Sequence, residues 1–222
     1  MDVKVENMTI EEARELVSNR PLWPFVRDFL WDFAPQVHPS WVEDVAAVSA
    51  SLREMKSPRV RRYVLDSLGV EPCFHAFPKD DGSRLLLLDG ATLESIAKWL
   101  GALACAAELR RVTDGATVRE LKAALPGVYP EVFGYTMYFG GFDFERRVAE
   151  LQSVQRISEE GCKMLFSVLS KLPRPLVRRM ELKFPKGLCD RCLSAPPREI
   201  NYAVILKLLK LKFPEAYKLC CS

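Results

Sequence analysis

A chain of 222 residues with 49% hydrophobic and 27% charged side chains falls in the ordinary globular range, which excludes a disordered or fibrous protein. Its most apolar run, Leu85–Leu88, is bounded by Arg84 and Asp89 and falls far short of the ~20 residues that span a bilayer, so no integral membrane protein is expected. The net charge of +3 conceals an uneven distribution, since residues 163–222 carry 13 Lys/Arg against 4 Asp/Glu, an end suited to an acidic partner, a membrane surface or nucleic acid.

The N-terminus has acidic residues, Asp2 and Glu6, where a signal peptide needs a basic region followed by an apolar one, so a cytoplasmic protein is expected. Thr9-Ile10-Glu11-Glu12 reads as a capping box that opens a short helix ending near Asn19. In Leu22–Phe33, Phe25, Phe29 and Phe33 recur at helical spacing and predict one aromatic helical face, closed by Pro35. Helices are predicted over Val42–Leu52 and Ser57–Leu68, the second with Pro58 in its first turn and Gly69 as its stop. Cys73–Phe77 and Arg84–Leu88 flank Pro78-Lys79-Asp80-Asp81-Gly82-Ser83 and suggest a single β-hairpin.

Thr92–Arg111 carries the clearest helical period, with Leu93, Ile96, Ala97, Leu100, Leu103, Ala104 and Ala107 on one stripe. The small residues around Gly101 leave room for a second helix to approach closely. A break at Asp114-Gly115 and a helix over Ala116–Leu125 complete a helical hairpin ending at Pro126-Gly127. Further helices are expected over Pro130–Phe139 and Asp143–Ile157, and then from a Ser158 cap to about Lys171. A basic helix, Leu176–Lys183, precedes a loop with Pro185, Gly187, Pro196 and Pro197. The last helix, Glu199 to about Lys212, turns Val204, Ile205, Leu208 and Leu211 inward, and Pro214 ends it. The fold class read from this pattern is mainly α, an irregular multi-helix bundle with at most one small hairpin. It forms a single domain over 1–222, or two lobes covering 1–90 and 91–222. No fixed-period repeat favours a solenoid.

Catalytic motifs are missing: no phosphate-binding loop, dinucleotide fingerprint, His-Glu-x-x-His or Gly-x-Ser-x-Gly occurs. The two histidines, His38 and His75, sit in proline-flanked or apolar surroundings that suit packing better than acid–base work. The acidic pairs Glu11-Glu12 and Glu159-Glu160 fall in first helical turns, where the helix dipole favours carboxylates, and Asp80-Asp81 falls in the hairpin turn. Seven scattered cysteines fit a reducing compartment. Cys189-x-x-Cys192 has the spacing of a zinc half-site that Cys220 and Cys221 would have to complete, but a second properly spaced pair is lacking and ordinary thiols are the preferred reading. No enzyme, metal or cofactor is expected.

Two segments carry a resemblance. Phe33-Ala34-Pro35-Gln36-Val37-His38-Pro39-Ser40-Trp41 brackets two prolines and a histidine between large aromatics, and Leu100–Gly115 joins a Leu-Gly pair to a small-residue helix, the pair Arg110-Arg111 and a turn. Both resemble the SctK family of bacterial type III secretion systems, which includes the YscK and OrgA/MxiK proteins. The resemblance implies a non-catalytic sorting-platform adaptor, important for virulence, at the cytoplasmic face of the inner membrane. It would bridge the forkhead-associated-like cytoplasmic domain of the ring protein SctD to the pod protein SctQ, and indirectly reach the stator SctL and the ATPase. No nucleic acid is implied.

The motif-anchoring residues are then Phe33, Pro35, His38, Pro39, Trp41, Leu100, Gly101, Arg110 and Arg111, and Arg178, Arg179, Lys183, Lys207 and Lys210 are expected to form a basic face. Trp23, Trp31, Phe33, His38 and Trp41 suit an aromatic interface anchor, although core packing is the preferred reading of each single aromatic. Pro35 and Pro39 would stiffen the motif while Phe33 and Trp41 pin its ends into the core. The alternative is a helical nucleic-acid-binding protein that uses the basic C-terminal third.

Overall fold

The computed structural model describes residues 22–30, 33–42, 57–70, 82–139, 154–194 and 198–221. Eleven α-helices occur among them: α1 (Trp23–Leu30), α2 (Pro58–Ser67), α3 (Gly90–Ala104), α4 (Ala106–Leu109), α5 (Gly115–Ala124), α6 (Val132–Tyr135), α7 (Val154–Leu169), α8 (Arg174–Leu182), α9 (Lys186–Leu193), α10 (Tyr202–Lys212) and α11 (Pro214–Cys221). Short 3₁₀ turns cover Ala34–Gln36, Pro39–Trp41, Ser83–Leu87 and Thr136–Phe139. The protein is mainly α, with no strand among the described residues. The helix expected over Thr9–Asn19, all but the first residue of that over Val42–Leu52, the strand over Cys73–Phe77, Trp31, His75 and most of Asp143–Ile157 lie outside those residues.

Chain contacts divide the protein into two compact units, the first made of residues 1–90, 172–186 and 218–222, the second of residues 91–171 and 187–217. In the first unit, α1 turns Val26, Phe29 and Leu30 inward, the i, i+3, i+4 set of a buried helical face. Phe25, expected on that face, is 46% exposed. The helix ends at Leu30, so Phe33 belongs to a separate segment and the spacing from Phe25 to Phe33 does not describe one face. α2 opens on Pro58 and stops where Gly69 takes φ 67°, a left-handed conformation that glycine adopts without a side-chain clash.

Arg84–Leu88, expected as a hairpin arm, is a 3₁₀ turn instead. Leu85, Leu86, Leu87 and Leu88 are all buried, so the run has no alternating outer face of the kind a half-exposed strand needs. Local bonds from Leu85 N–H to the Gly82 carbonyl and from Leu88 N–H to the Leu85 carbonyl, both 3.2 Å, replace a ladder.

The second unit is built around α3 and α7. Leu93, Ile96, Ala97, Leu100 and Leu103 are buried along α3, as its period predicts. A Cβ on Gly101 would lie 1.8 Å from the Ile157 carbonyl oxygen, and one on Gly161 would lie 1.7 Å from the Ala97 oxygen. The two backbones therefore touch through reciprocal glycines, the close approach that the small residues of α3 allow.

Three boundaries differ from the sequence reading. Ser158 lies inside α7 and caps nothing, because the helix already runs from Val154. α9 forms in the expected loop, where buried Cys189 and Cys192 supply its inward stripe at i, i+3. Pro214 closes α10 but also starts α11, since a first-turn proline lacks only an N–H that would have no intrahelical partner anyway. On α10 the inward set is Val204, Ile205, Leu208 and Leu209, and Leu211 is 40% exposed.

Candidate docking site

The segment from Phe33 to Trp41 holds two 3₁₀ turns, the first with Pro35 as its second residue and the second begun by Pro39. Pro35 and Pro39 occupy first-turn positions, where a fixed φ suits the turn and no donor is lost. His38 sits between the turns in extended conformation, and its Nδ1 accepts the Ser40 N–H at 3.2 Å, acting as an N-cap. The Ser40 hydroxyl also lies 2.9 Å from Nδ1, the spacing of a serine nucleophile and its base. That oxygen accepts the Lys186 N–H at 2.9 Å, and no carboxylate orients the ring from its other nitrogen among the described residues. The pair fastens a turn.

The motif is docked along α8 by backbone and indole bonds. His38 N–H donates to the Leu182 carbonyl at 2.7 Å, and Trp41 Nε1–H donates to the Phe184 carbonyl at 2.8 Å. Phe33 is fully buried and packs edge-on against Phe29, with ring centroids 5.7 Å apart. Trp41 is only half-buried. The Arg178 guanidinium lies 4.8 Å from the centre of its indole and the Lys186 ammonium 6.0 Å, so the exposed part of the ring is bordered by two cations.

Arg178 also binds two other groups. Its Nε and Nη2 donate to the Leu68 carbonyl at the end of α2, at 3.3 and 3.2 Å, where the helix dipole favours a cation. Its Nη1 meets Glu181 at 3.0 Å, and Arg174 approaches the same carboxylate to 2.5 Å. Glu181 is buried, so two guanidinium groups supply the charge compensation that a buried carboxylate requires.

The expected basic face does not form as one surface. Arg179 and Lys183 are each 1% exposed. Arg179 donates to the Pro175 carbonyl at 3.1 Å, while Lys183 Nζ donates to the carbonyls of Leu86 and Leu88 at 2.6 and 2.7 Å and lies 5.0 Å from the Phe29 ring centre. Burial pushes the Lys183 pKa down to about 7, against an opposing pull from Asp89. These cations point inward because the 3₁₀ backbone and the aromatic rings beside them accept charge. Lys207 and Lys210 belong to the second unit, where both are exposed.

Leu100 and Gly101 are buried in the α3–α7 contact. Arg110 crosses to the 3₁₀ turn after α6, donating to Thr136 Oγ1 at 2.7 Å with its guanidinium 5.7 Å from the Phe133 ring centre, and Arg111 is exposed. The second unit also contains fastenings that no motif announced. Glu160 receives Lys163 and Arg198 at 2.9 Å each; burial pushes its carboxyl up, but those bonds outweigh it and hold the group below its ordinary range. Lys212 reaches Glu131 at 2.5 Å and lies 4.1 Å from the centre of Tyr135 and 4.6 Å from that of Trp99, an aromatic enclosure filled by the protein's own lysine.

Cys192 bonds the Glu159 carbonyl through Sγ at 3.5 Å and shares a hydrogen bond with Cys162, which raises the Cys162 thiol and lowers that of Cys192. Cys220 belongs to the first unit, where its carbonyl accepts from Arg84. Among the described residues no group of three or more His, Cys, Asp or Glu side chains is arranged to hold a metal ion. No helix among them is long and apolar enough to cross a membrane.

A protein-family model described as YOP proteins translocation protein K (YscK) matches residues 25–220. Neither the curated proteins nor the solved structures contain a match.

Proposed function

The chain belongs to the YscK family of type III secretion proteins, and from that membership we propose that it is a non-catalytic adaptor of the injectisome. In this reading it joins the cytoplasmic domain of the ring protein SctD to the pod protein SctQ, and through the pod to the stator SctL and the ATPase. It works in the bacterial cytoplasm at the face of the inner membrane, as part of the sorting platform on which export and virulence depend.

The observation that carries the proposal is the family match, which spans both compact units, and the polar contacts of the Phe33–Trp41 motif tie separate segments of the first unit together. An adaptor requires a fixed frame and recognisable surfaces, and the half-exposed Trp41 beside Arg178 and Lys186 has the residue types that dominate interface energetics.

The nucleic-acid reading loses support from the same contacts. Of the basic residues in 163–222, Lys163, Arg174, Arg178, Arg191, Arg198 and Lys212 are paired with carboxylates, and Arg179 and Lys183 are buried. A phosphate backbone needs cations directed outward.

The test is co-purification of the full chain with SctD cytoplasmic domain and, separately, with SctQ from the same organism. Stable association with each is expected. Failure to bind both refutes the adaptor role.

A further inference from the structure

Three apolar side chains of the second unit are exposed, Met137 at 78%, Tyr138 at 50% and Leu211 at 40%. Lys207 donates to the Tyr138 carbonyl, and its ammonium lies 5.5 Å from the centre of the Phe139 ring. One turn further along α10, Leu211 follows Lys207 on the same face, since residues four apart are neighbours on a helix. Lys212 packs on Tyr135, whose ring centroid is 6.0 Å from that of Tyr138. Residues 207–212 and 135–138 therefore run side by side, and their outer edge is apolar and bordered by Lys207 and Lys210.

We infer that this edge is a docking surface for an acidic protein segment, one that seats an aliphatic or aromatic anchor against Met137, Tyr138 and Leu211 and directs carboxylates at Lys207 and Lys210. The inference rests on the adaptor reading and assigns one of its two contacts to the second unit.

Charge complementarity selects the partner. The cations at this edge are Lys207 and Lys210, with Arg110 on Thr136 and Lys212 on Tyr135 beside them, and the carboxylate of Glu131 is engaged by Lys212. A thioether, a phenol and a leucine give the mixed, adaptable contact that a peptide or helix face fits, with flanking charges setting register and approach. An anionic bilayer is the weaker match, because surface attachment draws on a cluster of several basic residues directed outward, whereas this edge is bordered by isolated lysines interleaved with apolar side chains.

The test uses the full chain with the substitutions Met137→Ala and Lys210→Glu, singly and together, and Lys171→Glu, an exposed lysine of the same unit just after α7, as a charge control. Circular dichroism melts verify that each variant folds. Affinity for SctQ and for the SctD cytoplasmic domain is then measured by calorimetry. The double variant is expected to lose at least about tenfold in affinity for one of the two partners and to keep the other. The control keeps both. If wild-type protein binds a partner and the folded double variant binds both partners equally well, the docking surface is overturned while the adaptor role stands. If wild-type protein binds neither, the adaptor role fails and this assignment falls with it. Substitution-sensitive binding to phosphatidylglycerol vesicles with unchanged protein affinities overturns it in favour of a membrane.

Discussion

The indole N–H of Trp41 donates to the backbone carbonyl of Phe184 at 2.8 Å, across 143 residues of sequence. With the His38 bond to Leu182 and the Lys186 bond to Ser40, it ties the Phe33–Trp41 motif to α8 and the turn that follows. The motif thus fastens distant parts of the first unit while Trp41 stays half-buried.

Trp41→Phe retains a ring beside Arg178 but leaves the Phe184 carbonyl without its indole donor. The expected cost is about 1–2 kcal/mol, and Trp41→Ala should cost about 2–3 kcal/mol because the side chain is only half-buried. Urea denaturation with unchanged slope is the measurement. Equal midpoints for wild type and Trp41→Ala would show that the ring pins nothing.

Gly101→Ala should be among the most damaging small substitutions in the chain. Its Cβ would meet the Ile157 carbonyl oxygen at 1.8 Å, and backbone cannot swing aside as a side chain can. A loss of about 3 kcal/mol or more is expected, at the upper end of overpacking effects. Gly134→Ala, with open space around its Cβ, is the matched control and should melt within a few degrees of wild type. Similar melting temperatures for the two variants would contradict the helix contact.

Lys183 links stability to pH. Its pKa is lowered from 10.5 to about 7 by burial, so between those values the unfolded chain binds more protons than the folded one. Stability contributed at this site therefore rises as pH increases from about 7 towards 10.5, and the cost of the buried cation is fully present below about 7. Denaturant titrations from pH 7 to 10 should show wild type gaining on Lys183→Met across that window. Parallel profiles would remove the buried cation as the cause.

Glu160 acts in the opposite direction. Its folded pKa lies below the ordinary 4.5, so its stabilising effect is present above that value and is lost as pH falls through the folded pKa. Glu160→Gln should be less stable than wild type at pH 7, with the gap closing in acid. A gap that persists undiminished at pH 2 would show that the Lys163 and Arg198 bonds do not depend on charge.

Periodicity made α3 and its close neighbour legible, because Leu93 to Leu103 repeat with a helical stripe and Gly101 marks where bulk is absent. It misread the segments whose burial is not one-sided. The four leucines at 85–88 look like a strand arm, but all four are buried and the carbonyls of Leu86 and Leu88 accept from Lys183. α9 escaped because Pro185, Gly187, Pro196 and Pro197 read as a loop and its short inward stripe is two cysteines. The basic residues of α8 suggested a surface because charge in sequence carries no direction. Only the fold shows Arg179 and Lys183 turned into the unit, and the return of residues 172–186 and 218–222 to the first unit has no local signal at all.

Simultaneous binding is the most direct test of the adaptor role. Sedimentation velocity of the chain mixed with SctQ and the SctD cytoplasmic domain should give one faster species containing all three proteins. Two separate binary complexes that compete for the chain, or no complex with either partner, would contradict a bridge.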